Sequence, residues 1–118
     1  MTTEQKLQEV VLSALASTKD GRLKWSPTAE TNTFLAVIDN RSLVISRTVP
    51  PVVSVTRSVR GFIFVLRVMN NKGFEVASIR EEASSEQNPL WQLFEAARNN
   101  ALNPPKELDE LLHALKSR

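Results

Sequence analysis

Few residues of this 118-residue chain are equipped for chemistry, and they are unevenly placed. The densest string is Arg60-Gly61-Phe62-Ile63-Phe64-Val65, in which Phe62 and Phe64 fall on one side of any strand that carries them. Flat rings beside a cation suit stacking on nucleic-acid bases, and suit equally well the packing of one face of a buried central strand. Arg47, Arg57 and Arg60 lie in the same stretch, and the guanidinium fork matches carboxylate or phosphate in a bidentate way. Arg47, Arg57, Arg60 and Phe62 are therefore the candidate partner-binding residues.

No comparable set exists for catalysis, for a cofactor or for a metal. There is no cysteine, which excludes disulfides, thiolate nucleophiles, zinc ribbons and iron–sulfur clusters. His113 is the single histidine, and it sits beside Leu112 but off that helix's apolar row. Asp109 and Glu110 are neighbours in sequence and point to different azimuths of a helix, so they do not form a metal pair. Glu81, Glu82 and Glu86 are read as a solvated loop. Gly21, Gly61 and Gly73 stand alone, so no glycine-rich phosphate loop is present. The expectation is a chain that is not an enzyme and takes no cofactor.

Charge is more informative by segment than in total. The net charge of +2 conceals residues 41–80, where Arg41, Arg47, Arg57, Arg60, Arg67, Lys72 and Arg80 face Glu75 alone and give +6. Residues 1–40 carry −1 and residues 81–118 carry −3. Such a polarised chain either pairs its own arginines with its own acids or offers them to an anionic partner, and basic side chains also protect sheet edges.

These residues must be positioned by a small α+β domain spanning residues 1–118. Leu7, Val10, Val11, Ala14 and Leu15 have the spacing of one buried helical stripe from Thr3 to Thr18, with a Thr2/Gln5 capping box before it and Gly21 after it. Leu23 and Trp25 predict a short strand stopped by Ser26-Pro27. Thr33–Asp39 and Ser42–Thr48 predict a hairpin, as do Gly61–Met69 and Phe74–Arg80 around Asn70-Asn71-Lys72-Gly73. Val49 to Arg60 combines Pro50-Pro51 with a β-prone run, and fits either an extended edge segment or a loop. Asn88-Pro89 and Asn103-Pro104-Pro105 each start a helix. The first carries Leu90, Leu93, Phe94 and Ala97, and the second carries Leu108, Leu111, Leu112 and Leu115. Trp25 and Trp91 are expected to tie the first strand to the penultimate helix, and Arg98 to fix the junction of the last two. The fold class is thus α+β: an antiparallel sheet of four to five strands with one N-terminal and two C-terminal helices packed on it.

The Arg60–Val65 string resembles the aromatic strand of RNA-recognition domains, although Ile63 stands where a small residue is usual and Arg67 where the last aromatic would be. That fold also requires a helix just before the strand, where this chain has Pro50-Pro51 and β-rich runs. Helix, strands and helix are similar to the double-stranded-RNA-binding module, but Glu81, Glu82 and Glu86 precede the last helices where that module carries lysines. Gly21-Arg22-Leu23-Lys24-Trp25, with Leu90 to Arg98 followed by Ala101-Leu102, resembles a set of small uncharacterised bacterial proteins. That resemblance implies a bacterial α+β fold and transfers no binding or catalytic residue.

No apolar run approaches the roughly 18–20 residues of a membrane span. Met1 to Lys6 read as the start of a helix and not as an export signal, and the lack of cysteine suits a reducing cytoplasm. Both sides of the second hairpin are apolar, which three helices would not readily cover. The resulting expectation is a non-catalytic interaction module, self-associating through its sheet as a homodimer and binding a protein or peptide partner. The alternative is nucleic-acid binding through Arg47, Arg57, Arg60 and Phe62.

Overall fold

The computed structural model describes residues 2–50 and 61–118. Its elements follow one another as helix α1 (Thr3–Lys19), strands β1 (Trp25–Pro27), β2 (Thr33–Ile38), β3 (Arg41–Thr48), β4 (Phe62–Met69) and β5 (Glu75–Ala83), and helices α2 (Pro89–Leu102) and α3 (Pro104–Lys116). The five strands form one antiparallel sheet in the order β1-β2-β3-β4-β5, so every strand pairs with its neighbour in sequence. The α+β class expected from the sequence is the class observed. Whether Val49 to Arg60 forms an edge strand or a loop falls on residues 51–60, outside those described.

Local signals start and stop the elements where side-chain chemistry dictates. The Thr2 hydroxyl accepts from the Gln5 N–H, and the Gln5 amide oxygen accepts from the Thr2 N–H, which closes the capping box of α1. The Asn88 side chain accepts from Leu90 N–H and, more weakly, from Trp91 N–H, and Pro89 occupies the first turn of α2. At the β4–β5 turn Gly73 adopts φ +83°, while the Asn70 side chain accepts from the N–H groups of Lys72 and Phe74.

Two boundaries differ from the sequence expectation. β1 begins at Trp25 and runs through Pro27; a proline is accommodated because β1 lies at the edge of the sheet. β5 continues past Arg80 through Glu81 and Glu82, residues expected in a solvated loop. Pairing with β4 holds them extended, with Phe64 opposite Glu81 and Phe62 opposite Ala83. Glu81 also accepts a hydrogen bond from the Asn88 side chain at 2.9 Å, joining the end of the sheet to the start of α2.

Strand alternation divides the sheet into two faces. One carries Trp25, Phe34, Ala36, Leu43, Ile45, Phe64 and Leu66, and it is covered by α1 and α2 through Val11, Leu15, Leu90, Leu93, Phe94 and Ala97. Trp25 ties these layers together. Its indole N–H donates to the Thr18 hydroxyl at 2.9 Å, and its backbone N–H donates to the Asn100 side chain of α2 at 2.7 Å. The opposite face carries Leu35, Val44, Val65 and Met69, which are half-buried, and Ile63, which is buried, and none of the three helices packs on that side.

α3 is different in kind. It buries no residue, and Leu108, Leu111, Leu112 and Leu115 are 51–58% exposed. The cause lies at the junction. Asn103 alone separates α2 from α3 and adopts a left-handed conformation, φ 47° and ψ 64°. Its N–H donates to the Asn99 carbonyl and its side chain accepts from Lys106 N–H, so one residue closes one helix and opens the next in a new direction. Arg98, expected to fix this junction, forms no hydrogen bond or ion pair with a described residue; Asn103 does that work.

Candidate interaction surface

Two of the four candidate residues meet. Arg47 lies on the helix-covered face of β3, directly opposite Phe64, with its side chain 21% exposed. Its guanidinium sits over the Phe62 ring at 4.5 Å and over the Phe94 ring at 4.7 Å, and reaches Glu95 of α2 at 3.6 Å. A planar cation between two ring faces gains from both quadrupoles, most where water is largely excluded. Phe62 packs edge-on against Trp91 at 5.5 Å and against Phe64 at 6.2 Å, and Trp91 and Phe94 each lie within 6 Å of Phe64. Arg47 and Phe62 thus belong to an aromatic layer that fastens α2 to the sheet, and one face of the Phe62 ring is already occupied by a cation. Arg57 and Arg60 lie outside the described residues.

The remaining described cations sit elsewhere. Arg67 and Arg80 lie on the face of the sheet away from the helices, where Arg67 pairs with Ser78 and Arg80 with Val65. The register makes them diagonal neighbours. Neither forms an ion pair with a described residue, and nor does Arg41 at the start of β3. The expectation that sheet arginines meet acids from the helices holds for Arg47 with Glu95, and among the described residues not for these three.

The chemistry-bearing groups of the C-terminal third stay apart. His113 is exposed, and no group of three or more His, Asp or Glu among the described residues is gathered as a metal site requires. Among the described residues, no helix is long and apolar enough to cross a membrane.

Sequence reading did not find the concave surface between α1 and the tip of the β2–β3 hairpin. This groove has a volume of about 660 Å³, with Val10, Ala14, Leu23, Leu43 and Val68 among its lining and Ile38 at its rim. Its signal in the sequence was Val37-Ile38, two adjacent apolar residues beside a turn, both exposed in the structure. Helices α1 and α2 fill the centre of the sheet and leave this end open. Lys6, Arg22 and Arg41 border the groove together with Glu9 and Asp39. No family model, curated protein or solved structure matches the chain.

Proposed function

We propose that this chain is a non-catalytic interaction module that self-associates and binds a protein or peptide partner. The observation that carries the reading is α3, a helix with a four-leucine row of which every member is more than half exposed. An amphipathic helix gains most of its stability from an apolar face packed on something, and among the described residues none buries this one. On the side of the sheet away from the helices Val37 is 64% exposed, while Leu35, Val44, Val65 and Met69 are half-buried and add a smaller apolar surface. The absence of cysteine supports a reducing cytoplasm as the setting.

Light scattering over a concentration series tests this directly. The expected result is a rise in mass toward that of a dimer by about 100 µM. A constant monomer mass would remove self-association from the reading.

Arg67 and Arg80, diagonal neighbours on the face away from the helices and without ion-pair partners among the described residues, support nucleic-acid binding as a second reading. Phosphate-driven binding releases counterions and weakens steeply with salt. Retention on heparin that vanishes in moderate salt would support this reading, and no shift of mixed DNA and RNA at low salt would eliminate it.

A further inference from the structure

We infer that the groove between α1 and the β2–β3 hairpin receives α3 of a second copy of this chain, and that two copies exchange α3 reciprocally about a two-fold axis. This rests on the reading of the chain as a self-associating module and names the surfaces that carry it.

The dimensions agree. The α1 residues that line the groove run from Lys6 to Ser17, a wall about 17 Å long at 1.5 Å per residue. α3 has 13 residues, about 20 Å at the same rise, and its leucines at 108, 111, 112 and 115 have the i, i+3, i+4, i+7 spacing of a helix laid into a groove. At its base Leu43 and Ala14 are already buried in the chain's own core, and the surface left to a partner is half-buried Val10 on α1 and Val68 on the sheet, with Val37 and Ile38 at the rim 64% and 44% exposed. The volume of about 660 Å³ accommodates several leucine side chains.

Among the described residues that line the groove, none belongs to α3. Asn103 in its left-handed conformation, capping both helices and followed by Pro104-Pro105, holds α3 away from the body that carries it. A second copy supplies the same helix free of that constraint. One four-leucine row offers on the order of 400 Å² of apolar surface. The groove exposes less than that, because Ala14, Leu23 and Leu43 are already buried, so one contact falls well short of a stable interface and only two reciprocal contacts reach its lower end, roughly 1,200 Å².

The test uses the full chain and two variants, Leu111→Glu on α3 and Ile38→Glu at the groove rim. Both positions are exposed, so both variants are expected to retain the wild-type near-ultraviolet tryptophan spectrum. Each alone is expected to dimerise at least about tenfold more weakly than wild type, because a carboxylate is placed against an apolar surface. Mixed together, the two are expected to form a heterodimer, in which the intact α3 of the Ile38→Glu chain enters the intact groove of the Leu111→Glu chain. A wild-type chain that stays monomeric overturns both this inference and the self-association reading. A dimer that neither variant weakens overturns the inference alone and places the contact away from α3 and the groove. Loss of dimer in both variants without complementation on mixing also overturns it, because pairing of α3 with α3, for example, gives no such rescue.

Discussion

Arg47 shows how a residue selected for its chemistry is consumed by the fold. Between the Phe62 and Phe94 rings and within 3.6 Å of Glu95 it acts as a clamp on α2. Arg47→Ala is expected to lower unfolding free energy by about 1–2 kcal/mol in a urea titration, through lost packing as much as lost charge. Glu95→Gln, which removes only a partly exposed ion pair, is expected to change it by less than about 0.5 kcal/mol. Thr18 is the counterpart at the other end of the core. Its hydroxyl donates to the Ala14 carbonyl at 2.7 Å and accepts from the Trp25 indole at 2.9 Å. Thr18→Val keeps the shape but orphans a buried N–H, and should destabilise by about 1–3 kcal/mol with a shift in tryptophan fluorescence. Gly61 is required for space, since an added Cβ would lie 2.7 Å from the Ala83 backbone carbonyl oxygen. Gly61→Ala is therefore expected to cost about 1–3 kcal/mol and to loosen amide protection at the paired end of β5. The roles of Arg47 and Gly61 are not visible locally, because their partners are distant in sequence, and that of Thr18 depends on the chain folding back from α1 to Trp25.

At the level of elements, the legible parts were those written in periodicity and caps. The stripes of α1 and α2, the two hairpin turns and the proline-led helix starts follow from rules spanning a few residues, and the structure keeps them. The extension of β5 through Glu81 and Glu82 was not legible, because two adjacent glutamates have poor strand propensity and are held there by ladder bonds to β4. Nor was the isolation of α3, since a leucine row reads the same whether a neighbour covers it or solvent does. Its direction depends on Asn103. Asn103→Val places a β-branched residue at φ 47° and removes the side-chain cap. The expected result is faster amide exchange in the first turn of α3, with the protection of α2 above Asn99 retained. Asn103→Gly, which tolerates that conformation, is expected to leave both helices closer to wild type.

For the whole molecule, the core closes without α3. A chain ending at Asn103 is expected to unfold cooperatively, within about 1 kcal/mol of the full chain measured at a concentration where both are monomeric, since no buried residue is removed. A loss larger than that would show that α3 is held against its own body. The charge polarity of the sequence survives folding only in part, because Arg47 turns inward to its partners while Arg67 and Arg80 stay on the face away from the helices. The sequence by itself determined the α+β class, the two hairpins implied by short turns and the lack of any metal-binding or thiol chemistry built on cysteine. Those follow from composition and short-range pattern. Only the tertiary structure decided which arginines are spent on aromatic rings, where the groove beside α1 opens, and that the last leucine row faces outward. These depend on strand register and on one left-handed junction residue, and neither is encoded in the periodicity of any single segment.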